Sequence, residues 1–396
     1  MAVLKPQDAQ YKTKEDICTH LGDEYAQFMG AIVPPIFQNS LFLKPTPKNG
    51  IKDSGFVYTR VSNPPIDVAE RKIAALEGAQ AAACFSSGMA AISAAILRFV
   101  RKDSHVIAPH TIYGPTRTFL TKYLADKFGI TVTFVHGSDV EEIRQALRPN
   151  TSLIYLESPS SLVMYMQDLK AIADLAKEHG IGTAIDNTYA TPLHQNPLEY
   201  GIDLVCHTAS KYMGGHSDIV AGVVAGSKER IESICQQERE LLGACMDPHQ
   251  AWLLLRGLRT LPVRLKVHGE SGLTVAKWLE QQPQVKQVFY PGLDSHPQKD
   301  LVDKYLRGTN GLISFVYNGS PEQAREFVYS LKMFQFGVSW GGFESLVVMP
   351  TVGMSEEEAG SLGMPANLIR IHVGLENVDS LIADLKQGFE ESEKVK

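Results

Sequence analysis

Short β-rich runs alternate with helical patterns through the middle of this 396-residue chain. Between two of these runs, residues 168–179 carry apolar side chains three and four positions apart and the pattern stops at Gly180, which is typical of a helix. The alternation predicts βαβ units and therefore an α/β fold with a mainly parallel central sheet. The predicted strands are VIAP from Val106, TVTFV from Thr131, SLIYLES from Ser152, GTAID from Gly182 and DLVCH from Asp203.

The chain has a different character on either side of this alternating region. The first 60 or so residues show little periodicity and several prolines, which predicts an extended arm. After about residue 250, a long helical stretch, short strands and a charged closing helix predict a smaller α+β domain. We therefore expect an N-terminal arm at 1–60, a large domain at 61–255 and a C-terminal domain at 256–396.

Composition and charge exclude several classes of protein. The formal net charge is −6 without a basic tract, so we expect small-molecule partners and neither a nucleic acid nor a membrane. Five cysteines without a CxxC pair are typical of reduced thiols. We expect a cytoplasmic protein, because the sequence shows neither a signal peptide nor a membrane-spanning run. The 12 histidines include no HExxH motif, so we expect no metal site.

Polar residues follow apolar runs at positions where α/β sheets bind ligands. Gly88 and Met89 precede a run rich in Ala and Ile, which places them at a predicted helix N-terminus, where unpaired N–H groups suit a phosphate. Asp186 ends the GTAID run. Taken alone, the first feature is equally typical of an ordinary helix cap, and the second of a carboxylate that caps a turn.

A lysine and a tyrosine follow two further predicted strands. Lys211 lies in HTASKYMGGHSD, close to the hydroxyl groups of Thr208 and Ser210, and Tyr113 follows the strand at Val106. An isolated lysine is usually solvated, and an aromatic residue at a strand end usually packs in the core. Neither residue indicates a ligand by itself.

One cofactor accounts for all four features together. Pyridoxal phosphate needs a phosphate site, a lysine for its aldehyde and a carboxylate for its ring nitrogen. An aromatic side chain can stack on its ring. NAD is disfavoured because no GxGxxG motif follows a predicted strand. We therefore expect pyridoxal phosphate as the cofactor.

Nine motifs occur in order along the chain: VPPIFQNSLF, YTRVSNPP, SSGMAA, TIYGPT, ESPSS, AIDNTYATP, SKYMGGHSD, SWGGFESL and LIRIHVGLEN. Through these motifs, the chain from about Thr19 to Phe389 resembles the Cys/Met-metabolism family of pyridoxal-phosphate enzymes. This family includes cystathionine lyases, cystathionine γ-synthase and methionine γ-lyase. The resemblance implies the type I pyridoxal-phosphate transferase fold, which is aspartate-aminotransferase-like.

The same resemblance implies roles for the cofactor-binding residues. Lys211 would bind the cofactor covalently and carry protons in the reaction. Tyr113 would stack on the ring and act as a second catalytic group, and Asp186 would pair with the ring nitrogen. The residues implied to hold the phosphate are Gly88, Met89, Thr208 and Ser210.

Further implied roles concern the substrate and the neighbouring subunit. Arg370 would bind the substrate α-carboxylate, for which its planar fork of donors is suited. Ser339 and Trp340 would line the substrate site. Tyr58 and Arg60 would reach the phosphate in the neighbouring subunit, and their spacing of two lets both point the same way in an extended segment. The resemblance implies a homotetramer built from dimers with shared active sites.

Three positions bear on the reaction. The γ-active members of the family commonly carry glutamate just before the SxGGxES motif, where this chain has Val338, and its Trp340 form resembles bacterial cystathionine β-lyases. Ser161 stands where γ-type relatives usually have asparagine. We therefore predict β-elimination of L-cystathionine, or of related cysteine S-conjugates, to pyruvate, ammonia and a thiol such as homocysteine. The alternatives are a γ-lyase or γ-synthase of the same fold and, more distantly, a non-catalytic relative that binds the cofactor.

Overall fold

A mixed eight-stranded sheet is the larger of two sheets in the computed structural model, which describes residues 2–351 and 353–395. Its strands are β1 (Ala2–Val3), β2 (Ala81–Phe85), β3 (His105–Pro109), β4 (Thr131–Val135), β5 (Thr151–Glu157), β6 (Gly182–Asp186), β7 (Leu204–His207) and β8 (Gly222–Gly226). Their order is β1-β2-β8-β7-β6-β5-β3-β4, and the five strands from β7 to β4 run parallel. The predicted α/β fold with a mainly parallel sheet is confirmed.

Helices cover both faces of this sheet. Along β2, Ala82 and Cys84 pack into one apolar cluster, whereas Ala81, Ala83 and Phe85 pack into another on the opposite face. The α-helices in the described residues are α1 (Lys14–His20), α2 (Pro64–Glu77), α3 (Gly88–Leu97), α4 (Gly114–Thr118), α5 (Ala125–Phe128), α6 (Val140–Gln145), α7 (Leu169–Glu178), α8 (Thr191–His194), α9 (Lys228–Ile234), α10 (Glu240–Leu242), α11 (Pro248–Leu279), α12 (Lys299–Tyr305), α13 (Pro321–Ser330), α14 (Glu356–Ser361) and α15 (Val378–Ser392).

The helix predicted at residues 168–179 is α7. The Asp168 side chain caps its start by accepting a hydrogen bond from the Ala171 N–H at 3.1 Å. The apolar residues of α7 are buried against the large sheet. Within the described residues, no helix combines the length and the apolar character needed to span a membrane.

A second sheet lies in the C-terminal part of the chain and packs against α13 and α15. It comprises β9 (Val285–Phe289), β10 (Leu312–Tyr317), β11 (Gln335–Phe336), β12 (Leu346–Val348) and β13 (Leu368–His372), in the order β11-β12-β13-β10-β9. The rings of Phe327 and Phe389 stack here with centroids 4.5 Å apart. The predicted domain boundary at residues 255 and 256 falls inside α11, and the division into domains stays a prediction.

The N-terminal segment is only partly the extended arm that the sequence predicts. Strand β1 pairs with β2 of the large sheet, and α1 packs into its core. The buried Arg71 guanidinium ties this segment to α2 through ion pairs with Asp8 at 3.1 Å and Glu24 at 2.9 Å. Residues 30–62 form neither a helix nor a strand, apart from an isolated bridge between Leu41 and Tyr58. The region of arm-like structure is therefore shorter than 1–60.

Candidate active site

A cavity of about 770 Å³ opens where the parallel strands of the large sheet end. Its volume is in the range of small-molecule sites, and its position is where open α/β sheets bind ligands. Most of the residues predicted from the sequence line this cavity together. They are Gly88, Met89, Tyr113, Asp186, Thr208, Ser210, Lys211, Ser339, Trp340 and Arg370.

Lys211 reaches the cavity from the segment that follows β7. Its Nζ donates a hydrogen bond to Ser339 Oγ at 2.7 Å and lies 5.6 Å from the ring centroid of Trp340. Burial, together with the positive charge of Arg370, lowers the pKa of the Lys211 ammonium to about 8. A lysine with such a pKa is a usable amine nucleophile and base near neutral pH.

Asp186 is the last residue of β6, and its carboxylate is buried. Its Oδ1 accepts hydrogen bonds from the Thr188 N–H at 3.0 Å and from the Thr188 hydroxyl. Burial raises the pKa of the Asp186 carboxyl group, because the surroundings disfavour an isolated negative charge. A cationic ring nitrogen beside it would stabilise the carboxylate.

Glu157 lines the same cavity, although the sequence reasoning gave it no role. It ends β5 and pairs in register with Asp186 on β6. Its two carboxylate oxygens accept hydrogen bonds from the backbone N–H groups of Tyr113, at 2.7 Å, and Ser161, at 2.8 Å. Burial, then the charge of Asp186, raises the Glu157 pKa to about 7. Its place at a strand end, like that of Asp186, is the signal that could have identified it.

The N-terminus of α3 forms a small anion-binding corner of the cavity. Ser87 caps this helix by accepting from the Ala90 N–H at 3.1 Å, and the other N–H groups of a first helical turn have no partner within a helix. Gly88 lies so close to Thr208 that a Cβ there would be 2.8 Å from Thr208 Cβ. The Ser210 hydroxyl lies at the same edge and accepts from the Ala221 N–H at 2.9 Å.

Arg370 lies on β13, so the second sheet also contributes a side chain to the cavity. Its guanidinium donates to the carbonyl oxygens of Ser161 at 3.1 Å and Val338 at 3.0 Å. Burial lowers its pKa to about 10, and no carboxylate oxygen of residues 2–351 or 353–395 lies within 4.0 Å of its side-chain nitrogens. Arg370 is therefore a positioned, largely desolvated cation that suits a substrate carboxylate.

The loop that contains Ser339 and Trp340 packs directly on the lysine segment. The rings of Trp340 and Tyr212 lie with centroids 5.5 Å apart. Gly341 has φ of +84°, and a Cβ there would lie 2.7 Å from Tyr212 N. Only glycine accommodates both the left-handed backbone and this close approach without strain. The packing positions Ser339 against Lys211.

Tyr58 and Arg60 do not join this cavity within one chain. They line a separate cleft of about 500 Å³, where the guanidinium of Arg60 donates to the carbonyl oxygen of Glu240 at 2.9 Å. Arg60 also lies 5.8 Å from the ring centroid of Tyr58. Their role in a neighbouring subunit stays a prediction.

The donor set of the cavity fits pyridoxal phosphate. The close approach of Gly88 to Thr208 beside a helix N-terminus provides a cradle for a phosphate group. Buried Asp186 suits a protonated ring nitrogen, Lys211 suits the aldehyde, and the ring of Tyr113 lies at the cavity wall.

Comparisons with known proteins agree with this assignment. The family of Cys/Met metabolism PLP-dependent enzymes matches residues 15–390 of the chain. The L-methionine gamma-lyase of Porphyromonas gingivalis is 40% identical over 372 residues, which cover 91% of this chain and 93% of the relative. The cystathionine gamma-lyase of Bacillus subtilis is 37% identical over 381 residues, covering 95% and 99%.

A solved structure shows the same fold. The crystal structure of MetB from Corynebacterium glutamicum superposes with a TM-score of 0.90 at 33% sequence identity, and the match covers 96% of this chain and 98% of that one. The family match over nearly the whole sequence confirms the resemblance and the cofactor that it implies. The chain belongs to the Cys/Met metabolism family of pyridoxal-phosphate-dependent enzymes.

Proposed function

We propose that this chain cleaves the carbon–sulfur bond of an amino-acid thioether, with pyridoxal phosphate held in the cavity of about 770 Å³. The observation that carries the proposal is that Lys211, Asp186 and Arg370 all line this one cavity. When bound there, pyridoxal phosphate supplies a sink for the electron pair that remains when the substrate loses its Cα proton.

The side chains of the cavity then have distinct tasks. Arg370 binds the substrate α-carboxylate, because its guanidinium is already held by two backbone carbonyl groups. Lys211 takes the Cα proton with its amine, whose pKa is lowered to about 8. Asp186 keeps the proton on the ring nitrogen by providing a buried negative charge.

Protonation of the departing sulfur falls to Lys211 or Tyr113. Burial raises the pKa of the Tyr113 phenol, so this group stays protonated near neutral pH and can donate a proton. The ring of Trp340 lies beside the Lys211 amine, and the Ser339 hydroxyl orients this amine by accepting a hydrogen bond from it. Both contacts hold the amine ready for proton transfer.

The position of the broken bond is proposed as Cγ–S. The relatives from Porphyromonas gingivalis and Bacillus subtilis are named as γ-lyases, which supports γ-elimination over the β-elimination predicted from Val338 and Trp340. Removal of the leaving group from Cγ also requires loss of a Cβ proton. Lys211 is the base proposed for this second proton, because its amine is free once the first proton has been passed on.

The lining of the cavity supports a short apolar thioether such as methionine. Among the described residues that line it, Lys211 and Arg370 are the only Lys or Arg side chains. Cystathionine carries a second amino-acid group, whose carboxylate needs a further cationic partner. The apolar residues that line the cavity include Met89, Pro115, Ile219, Val220, Val338 and Trp340.

β-Elimination of cystathionine remains the second candidate. It is favoured by Val338, whose side chain is exposed and provides no acid at the position where γ-active relatives commonly carry glutamate. A side chain from the N-terminal arm of a neighbouring subunit would then bind the distal amino-acid group of cystathionine.

Identification of the keto acid distinguishes the candidates. With L-methionine and water, γ-elimination yields 2-oxobutyrate, methanethiol and ammonia. With cystathionine, β-elimination yields pyruvate, homocysteine and ammonia, whereas γ-elimination yields 2-oxobutyrate, cysteine and ammonia. Predominant pyruvate from cystathionine, without turnover of methionine, would contradict γ-elimination. A cofactor-loaded protein that turns over neither thioether would contradict lyase activity altogether, and Lys211→Ala serves as the inactive control.

A further inference from the structure

A second cleft, of about 700 Å³, lies at the other end of the parallel strands from the candidate active site, where β5 and β6 begin. Thr151 and Ser152 open β5, and Gly182 and Thr183 open β6. At about 3.3 Å per residue, the length of β5 places this cleft roughly 20 Å from Glu157 at the other end of the strand. The cleft is therefore distinct from the candidate active site.

This cleft is strongly cationic. The charged residues that line it are Arg98, Arg101, Lys177, Arg230 and Asp203. Arg230 pairs with Asp203, its Nη2 lying 2.8 Å from Oδ1. In the part of the chain that the structure describes, no carboxylate oxygen lies within 4.0 Å of the side-chain nitrogens of the other three cations. Three positive charges thus line the cleft without an ion-pair partner.

The carboxyl group of Glu238 does not line the cleft, but it interacts electrostatically with two of the cations that do. Burial raises the pKa of Glu238, and the charges of Arg98 and Arg101 act in the opposite direction. However, Glu238 Oε2 is buried without a hydrogen-bond partner in residues 2–351 and 353–395. Glu238 therefore moderates the local charge but does not pair with the donors that line the cleft.

Three buried polar atoms on the lining residues also lack partners. They are Arg98 Nε, Arg230 Nε and Ser152 Oγ, none of which has a hydrogen-bond partner among the described residues. Buried polar atoms in folded proteins are nearly always hydrogen-bonded. Because the side chains that carry these atoms line the cleft, this wall of the protein has more polar donors than the described residues satisfy.

We propose that this cleft is a second binding site, for a small phosphate ester or diphosphate. Arginine presents a planar fork of donors that matches phosphate oxygens, and Lys177 adds a mobile point charge. The volume of the cleft is in the range of small-molecule sites and much larger than a single phosphate ion requires. The site is independent of the reaction proposed above.

Calorimetric titration of the cofactor-loaded protein with pyrophosphate tests this site, because the phosphate corner at α3 is then filled. We expect one saturable site per chain. Lys177→Gln and Arg98→Gln should each weaken binding about tenfold, since each removes a charged donor. Lys177 is exposed, so its replacement leaves the fold intact. The matched control is Lys170→Gln, on the same helix but outside the cleft, which should leave the affinity unchanged.

Three results would overturn the proposal: no saturable binding of pyrophosphate, unchanged affinity in both Lys177→Gln and Arg98→Gln, or an equal loss of affinity in Lys170→Gln. The visible absorbance of the bound cofactor, recorded on every sample, shows whether each variant keeps its catalytic site. A failure of this second site is thereby separated from a failure of the proposed lyase function.

Discussion

Glu157 and Asp186 place two buried carboxyl groups beside each other at the ends of adjacent strands. Burial raises the pKa of both carboxyl groups, and the negative charge of Asp186 raises that of Glu157 further. The cofactor-free protein therefore keeps a proton on Glu157 at a pH where an unfolded chain has lost it.

We predict that Glu157→Gln alters how the stability of the cofactor-free protein depends on pH. The pKa of Glu157 rises from 4.5 to about 7 on folding, so the folded state binds more protons across that range. Its contribution to the free energy of unfolding consequently decreases as pH rises from about 4.5 to about 7. The glutamine variant should lack this decrease, which denaturant unfolding at a series of pH values measures.

Glu142→Gln is the matched control for this measurement. Its carboxylate also accepts two backbone hydrogen bonds, from the N–H groups of His136 at 2.8 Å and Gly137 at 3.1 Å, but it lies outside the cavity. The control should follow the wild-type pH dependence. If Glu157→Gln followed it too, Glu157 would not carry the buried proton.

The sequence singled out Asp186 and Lys211, because Asp186 ends one apolar run and Lys211 follows another, and their roles stay predictions. Glu157 also ends an apolar run and could have been singled out in the same way, but its backbone partners lie in two loops that only the folded sheet brings together. Arg370 was predicted only through the family resemblance, since its carbonyl partners at Ser161 and Val338 are 209 and 32 residues away along the chain. Contacts of this range depend on tertiary packing, which local patterns do not encode.

The N-terminus of α3 is the proposed binding site for the phosphate group of the cofactor. We predict that Gly88→Ala weakens the binding of pyridoxal phosphate about tenfold or more, because the added methyl group displaces Thr208 from the helix N-terminus. Titration of the cofactor-free protein with pyridoxal phosphate, followed by visible absorbance, measures the change.

Gly360→Ala provides the comparison for this helix. Gly360 is also helical, and an added Cβ there meets no atom within 4 Å. This variant should bind the cofactor as the wild type does. Equal cofactor affinity in Gly88→Ala and wild type would exclude the α3 terminus as the phosphate site.

Strands β3 to β7 were predictable because buried parallel strands appear as short apolar runs between helical patterns. Strand β2 was not, since its sequence AAACF contains little of the β-branched character that marks strands. Strand β8 was also missed, and its antiparallel pairing with β2 and β7 follows from tertiary contacts. The expected domain boundary at residues 255 and 256 lies within α11, which runs continuously from Pro248 to Leu279, and the division into domains stays a prediction.

Within a single chain, the cleft that holds Tyr58 and Arg60 is separate from the cavity that holds Lys211. Two arrangements follow: either Arg60 acts outside catalysis, or it completes the cavity of a neighbouring subunit. The family resemblance favours the second, and the segment at residues 30–62, which contains neither a helix nor a strand apart from one isolated bridge, is the part of the chain that carries both residues.

We predict that two inactive variants restore activity when combined. Arg60→Ala and Lys211→Ala should each have little activity alone. In a mixed dimer, the intact Lys211 of one chain meets the intact Arg60 of the other, so activity should return to about half that of wild type under two-fold symmetry. Co-expression with two different affinity tags isolates the mixed assemblies for assay.

The result distinguishes the two arrangements of Arg60. If both residues served the same chain, the mixed assembly would contain no complete site and would stay inactive. Full activity of Arg60→Ala alone would remove this residue from the site. The sequence alone could predict the shared site only through resemblance, since residue spacing does not encode contacts between chains.

The central claim is that Lys211 is the covalent anchor of pyridoxal phosphate. Borohydride reduction of the cofactor-loaded protein, followed by peptide mass spectrometry, tests it most directly, because reduction fixes the cofactor to the amine that holds it. We expect a pyridoxyl group on the peptide that contains Lys211 and on no other lysine. A pyridoxyl group on a different lysine, or an unmodified Lys211, would contradict it.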